Sequence, residues 1–254
     1  MTLEIQQIPA LRDNYIYLLR EPKSGAVGAV DPSVAAPVLA ALKSRGWALT
    51  HIINTHHHPD HTGGNLELKA ATKAIVVGPL ADRARIPGID VAVGDGDAFK
   101  FGNEAATVYD VPGHTRGHIA YWFKDAQALF SGDTLFLMGC GRLFEGTPQQ
   151  MWASLGKLKK LPPETRVYCG HEYTQANARF ALTIEPKNAE LVARAARVDM
   201  MRAAGQSTVP GTMHDELATN PFLRADLPAL QQSMGAPGDP VATFAAIRRA
   251  KDNF

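Results

Sequence analysis

The sequence predicts an α/β fold, a layered domain of two sheets covered by helices, with a small helical domain after it. Three observations carry this. Through residues 1–173, short apolar runs with strand character alternate with stretches patterned as helices. From residue 174 the texture changes to Ala-rich segments with helical periodicity. The chain is long enough, at 254 residues, to bury a sizeable core, and 45 % hydrophobic against 20 % charged residues is ordinary for a globular protein.

The elements follow in order. "NYIYLLRE" (14–21) and "GAVGAVDP" (25–32) read as neighbouring buried strands. "SVAAPVLAALKSRG" (33–46) has apolar residues at helical spacing and Gly46 as its stop. "ALTHIINT" (48–55) reads as a buried strand, and "GGNLELKAAT" as a helix starting just beyond His61. Strand 73–79, a strand pair around 97–113, and strands 118–125 and 128–136 come next. Helix 147–161 and strand 165–170 complete the first domain, 1–173. In the second, 174–254, three helical segments are expected, with the weakly structured 206–228 lying between the last two.

Net charge is +1 and evenly spread: residues 1–173 carry 17 basic and 17 acidic side chains, residues 174–254 carry 9 and 8. That balance argues against nucleic acid as a partner. Two cysteines, Cys140 and Cys169, make no disulfide framework. The first residues have neither a basic nor an apolar region of a signal peptide, and no apolar run approaches the ~20 residues that span a bilayer. A reduced, cytoplasmic protein is expected.

The chemistry concentrates in "NTHHHPDHTGG" (54–64), directly after a buried strand. Imidazole and carboxylate together suit divalent metals: zinc first, with iron and manganese accepting the same ligands. His56 and His58, two apart in extended chain, can point the same way. Asp60 and His61 follow Pro59, where the chain must bend, and can face a second position. Two pairs suggest two adjacent ions, with His57 between ligand positions. Further ligands stand at strand ends: His114 after a Pro-Gly turn, Asp133 after Gly132, and His171 closing the last strand. A carboxylate can bridge two ions, so Asp133 is the natural shared ligand. Alone, each of these three would read as a surface or turn residue. His51, His118 and His214 are expected to pack or face solvent. The glycines nearby (Gly113, Gly132, Gly139, Gly141 and Gly170) suggest a roomy cleft.

In these motifs the chain resembles the metallo-β-lactamase fold superfamily and, within it, the glyoxalase II (hydroxyacylglutathione hydrolase) group. "RDNYIYLL", "THHHPDHTGG", "PGHTRGHI", "FSGDTLF", "GCGRLFEGTPQQM", "CGHEYT", "NPFLR" and "RRAKDNF" carry the resemblance along the whole chain. It implies a four-layer αβ/βα sandwich with a helical C-terminal domain that binds substrate. It implies His56, His58 and His114 around one metal, and Asp60, His61 and His171 around the other, with Asp133 and a water or hydroxide between them. The implied substrates are S-2-hydroxyacylglutathione thioesters, chiefly S-D-lactoylglutathione, in methylglyoxal removal by a monomeric enzyme without nucleic-acid or membrane partners.

Two cations can bring bound water from a pKa of 15.7 to near ~7, so that hydroxide attacks the thioester carbon without a Ser or Cys nucleophile. Asp60 and Asp133 are the catalytic carboxylates on this reading. By resemblance Arg248 and Lys251 clamp the glycyl carboxylate, Tyr173 donates its hydroxyl, and the segment of Arg142 and Phe144 lies along the tripeptide. Arg142 replaces a lysine common in relatives, and Phe144 replaces a tyrosine, losing a hydrogen-bond donor. The rivals are another hydrolase of the fold, such as a lactamase or general thioesterase, and a non-catalytic metal-binding protein.

Overall fold

The structure, a computed structural model, describes residues 3–254 in two compact units. The first unit runs to Asp110 and resumes over Arg116–Gly132; the second is Val111–Thr115 with Asp133–Phe254.

In the first unit, β1 (Glu4–Ala10), β2 (Asn14–Arg20), β3 (Val27–Val30), β4 (His51–Ile53), β5 (Ile75–Pro79) and β6 (Val91–Val93) form one sheet in sequence order. The first three strands are an antiparallel meander; β3 to β6 are parallel. Parallel neighbours need crossovers. The helix α1 (Ala35–Arg45) supplies the first, and α2 (Pro59–Thr62) with α3 (Asn65–Thr72) the second. A 3-10 turn at Leu80–Arg85 leads into β6. Gly46 ends α1 at φ 64°, closing its N–H onto the carbonyls of Leu42 and Lys43.

Side chains alternate across a strand, so each strand feeds two layers. Ile16, Leu18, Val27, Ala29, Ile52 and Val76 join Val38, Leu42 and Leu68 in the core beneath α1 and α3. Full burial of such side chains is worth about 1.5–3 kcal/mol each. The alternate residues meet a second, antiparallel sheet of β7 (Ala98–Phe101), β8 (Glu104–Asp110), β9 (Ile119–Phe123) and β10 (Ala128–Gly132). That layer is aromatic: Tyr17 lies 5.5 Å from Phe130, Phe101 6.2 Å from Phe123, and His51 edge-on to Phe99 and Phe101 at 5.8 and 5.4 Å. A Cβ on Gly28 would lie 3.0 Å from both Ile53 and Phe101, so any side chain there would have to push those two away from the strand. His51 is thus a packing residue, and burial pushes its pKa down.

The second unit holds a short hairpin, β11 (Leu135–Phe136) with β12 (Gly139–Cys140), then α4 (Pro148–Leu158), which starts in a Thr147/Gln150 capping box. The strand β13 (Arg166–Cys169) pairs antiparallel with β14 (Gly211–Thr212). The helices are α5 (Thr174–Ile184), α6 (Ala189–Ala203), α7 (Met213–Thr219), α8 (Pro228–Ser233) and α9 (Pro240–Asp252). Ala178 and Ala181 of α5 pack with Leu191, Ala195 and Val198 of α6 against Met138 of the hairpin turn.

A buried polar network ties hairpin to helices. Arg194 is paired with Glu216 and donates to Thr219 Oγ1 at 2.6 Å. The other carboxylate oxygen of Glu216 accepts from Met138 N–H at 2.8 Å and Asn220 Nδ2 at 2.9 Å, and Asn220 also donates to Gly139 O at 3.0 Å.

Several details differ from the sequence reading, among them the short helix α8, which was not expected. The run 128–136 is two strands, because the chain turns at Gly132 with φ 48° before Asp133. The stretch 206–228 contains β14 and α7, the helix being capped by Thr212 and held through buried Glu216. The strands β1 and β6 were not expected; they are the two edges of their sheet, where polar residues are tolerated.

Candidate metal centre

In the first unit the parallel strands β3, β4 and β5 lie side by side, and the residues after their carboxyl ends make up one corner. Ligand sites of open α/β sheets form at such ends. After β3 comes Asp31, at φ 47° and buried. One of its oxygens accepts from Thr55 N–H at 2.8 Å; the other accepts from Thr55 Oγ1 at 2.6 Å and from His61 Nδ1 at 3.1 Å. After β4 come Thr55 and the four histidines.

The hydrogen bonds assign the ring nitrogens. His61 Nδ1 carries the proton given to Asp31, so Nε2, 3.5 Å from Asp60 Oδ2, carries the lone pair. The Thr55 hydroxyl gives its proton to Asp31, so at 3.0 Å it accepts from His56 Nδ1, and His56 Nε2 keeps a lone pair. That Nε2 sits 3.2 Å from His58 Nδ1. Asp60 is held by Asn14, whose amide nitrogen donates to both its carbonyl and its Oδ2 at 3.0 Å. His118 stacks on His56 at 4.5 Å and packs, as expected.

In the second unit Asp133 is buried, with Oδ2 3.5 Å from His114 Nε2 and 3.3 Å from His171 Nε2. His114 Nδ1 donates to Arg142 O at 2.9 Å, again leaving Nε2 as the ligand atom. Charge-assisted bonds run at about 2.7–2.9 Å, so these longer separations leave room for a cation between the oxygen and each nitrogen. The donor chemistry therefore fits divalent metal: in His56, His61 and His114 Nδ1 is tied back and Nε2 carries the lone pair, and carboxylates stand beside them. The first unit brings together His56, His58, Asp60 and His61; the second, His114, Asp133 and His171. Sequence reasoning missed Asp31 and Asn14, whose signal is only a polar residue at the end or start of a buried strand.

The predicted substrate residues all lie in the second unit. One oxygen of Asp252 accepts from Arg142 Nε at 3.3 Å and from Arg248 Nε and Nη2 at 3.1 and 2.9 Å. Arg248 Nη1 also donates to Cys140 O at 2.9 Å. Lys251 donates to Ala176 O at 3.2 Å beneath the rings of Phe180 and Phe254, and burial, then Arg248, brings its pKa down to about 8. Tyr173 stacks on His171 at 4.7 Å and 2°, and Phe144, exposed, meets His114 at 5.2 Å. Both thiols are free and buried; burial pushes Cys140 up to about 11 and Cys169 to about 12, so neither is a nucleophile near neutrality.

The glycines do not make a roomy cleft. A Cβ would meet Met151 at 2.9 Å from Gly113, Thr55 at 2.4 Å from Gly132, Asn177 at 2.4 Å from Gly139 and Asp133 O at 1.9 Å from Gly141. They allow backbone to lie against ligand-bearing segments.

A mixed sheet with this histidine-rich loop at its strand ends defines a class, and residues 14–171 match the metallo-β-lactamase superfamily. A solved structure, ETHE1 from Myxococcus xanthus, superimposes with a TM-score of 0.68 at 24 % identity, covering 99 % of this chain and 100 % of that one. Residues 172–254 match the family described as hydroxyacylglutathione hydrolase C-terminus. The chain is 62 % identical over 253 residues to the hydroxyacylglutathione hydrolase of Methylococcus capsulatus, covering 99 % of each. It is 58 % identical over 254 residues to that of Rhodospirillum rubrum, covering 100 % of this chain and 99 % of the relative. The chain belongs to the hydroxyacylglutathione hydrolase family. Among the described residues, no helix is long and apolar enough to cross a membrane.

Proposed function

We propose that this chain hydrolyses S-2-hydroxyacylglutathione thioesters, S-D-lactoylglutathione foremost, as the second step of methylglyoxal detoxification. The observation that carries the reading is identity of 62 % and 58 % over essentially the full length of relatives named hydroxyacylglutathione hydrolase. Residues 1–173 form the catalytic domain and 174–254 the substrate-binding domain, in keeping with family matches that meet at residues 171 and 172. The enzyme works as a cytoplasmic monomer.

His56, His58 and His114 would hold one divalent ion and Asp60, His61 and His171 the other, with Asp133 serving both; zinc suits this donor set best. When bound, the ions supply Lewis acidity and a water acidic enough to lose its proton near neutral pH. The chain's own residues do the rest. Asp31 and Thr55 fix His61 and His56 in one tautomer, and the Arg142 carbonyl does so for His114. Asn14 fixes the Asp60 carboxylate, which orients the attacking water. Overall, water adds to the thioester carbon, the C–S bond breaks, glutathione leaves as the thiolate and takes up one of the water's protons to become the thiol, and the other stays with the 2-hydroxy acid or passes to solvent.

Glutathione's glycyl carboxylate is met by Arg248 and Lys251, with Tyr173 donating its hydroxyl. Phe144 offers a ring face and no donor, so the main chain beside Arg142 carries more of the tripeptide's orientation.

The test follows thioester loss from S-D-lactoylglutathione with purified protein, before and after chelation, and with zinc, iron or manganese restored. Fast turnover lost on chelation and regained with metal is the expected result. Absence of turnover with two metals bound overturns the glutathione reading and favours another thioester or a lactam.

A further inference from the structure

Three of the four clustered histidines are accounted for as ligands; His57 is not. Its ring lies edge-on to that of His58 at 4.9 Å and reaches with both nitrogens into a cluster of its own. His57 Nδ1 lies 3.0 Å from Asp82 Oδ2, and Arg85 Nη1 lies 3.1 Å from His57 Nε2. The same arginine donates to the other oxygen of Asp82, from Nε at 3.0 Å and Nη2 at 2.5 Å. An arginine can only donate, so Nε2 of His57 accepts and Nδ1 gives its proton to Asp82. The three side chains close a ring of hydrogen bonds with one consistent set of donors.

Asp82 is placed for this. It sits in the 3-10 turn after β5, the strand parallel to β4, and is 3 % exposed. A Cβ on Gly117 would lie 2.3 Å from its carboxyl carbon, so the turn before β9 rests directly on it. The carboxylate is thereby fixed by the sheet on one side and by Gly117 on the other. His57 is the tether from this fixed point to the ligand loop.

We propose that the Asp82–Arg85–His57 cluster is a positioning device for the metal loop. Anchoring His57 fixes the backbone between His56 and His58, in the short passage from the bend at Thr55–His56 to the helix that starts at Pro59. On that backbone His56 Nε2 and His58 Nδ1 lie 3.2 Å apart. The free energy of ordering the loop is then met in folding, and metal affinity gains by that amount. His57 is a positioning residue, acting through its neighbours. The inference rests on the loop being the metal site proposed above.

The test titrates zinc alone against metal-free full-length protein, by competition with a chromogenic chelator, with the thermal midpoint of the metal-free protein as a second readout. His57→Ala and near-isosteric Asp82→Asn should each weaken zinc roughly 10–100-fold, the range for loss of supporting partners. The midpoint without metal should stay near that of the wild type. His57→Gln, which can still donate to Asp82 and accept from Arg85, should recover most of the affinity. The double variant should be no weaker than either single one, since both remove one linkage. Unchanged zinc affinity in His57→Ala overturns the proposal. So does an affinity loss that follows the metal-free midpoint and is not rescued by Gln, which marks a merely structural role. A wild-type protein that binds no zinc overturns the metal reading itself, and this inference with it.

Discussion

Asp31 and His61 stand 30 positions apart in the chain, yet Asp31 Oδ2 and His61 Nδ1 are 3.1 Å apart. The parallel pairing of β3 with β4 makes this neighbourhood, and the left-handed turn at Asp31 points the carboxylate along it. Asp31→Asn retains the shape but weakens the hold on the His61 proton. Zinc affinity should fall roughly 10–100-fold, read by chelator competition, with secondary structure unchanged by circular dichroism.

Lys251 gives a pH signature. Burial, reinforced by Arg248, favours its neutral amine, so the cation is present below about 8 and is lost as pH rises through that value. The affinity for a substrate carboxylate falls with it. KM should rise above pH ~8 while kcat holds, because the proposed contact is uniform binding. In Lys251→Ala the KM rise should disappear, a contrast visible in steady-state kinetics across that range.

Gly141 sets a steric limit. Its missing Cβ would overlap Asp133 O at 1.9 Å and press on His114 Nδ1 at 3.0 Å. Gly141→Ala should cost about 1–3 kcal/mol or more by overpacking. Thermal midpoint and bound metal should fall together, since the displaced groups carry two proposed ligands.

Arg194 and Glu216 form a buried pair, both less than one-tenth exposed. Glu216→Ala strands the guanidinium and frees Met138 N–H, and should cost about 3–5 kcal/mol in denaturant unfolding. Glu216→Gln, which still accepts from Arg194, should cost less.

What the sequence made legible was local. The histidine loop could be read because a strand delivers it and because its spacing pairs His56 with His58 and leaves His57 between them. Asp31 looked like any aspartate in a turn; only the pairing of β3 beside β4 brings it to Thr55 and His61. Asp82 was hidden for the same reason, two strands over. The helix α7 lay among glycine and proline and is seven residues long. Its hold on the fold comes through Glu216, a charged residue that local pattern would place in solvent. The glycines were misread because absence of a side chain looks alike whether it serves space or close contact.

The hairpin β11–β12 bears on how such proteins exchange parts. It precedes residue 174, yet its carbonyls and amides are bonded to Asn177, Glu216, Asn220 and Arg248. A recombination breakpoint at the family boundary near 172 would separate that hairpin from every helix that holds it. A breakpoint in the turn at Gly132–Asp133 would carry the hairpin and its helices into a new host as one heritable piece.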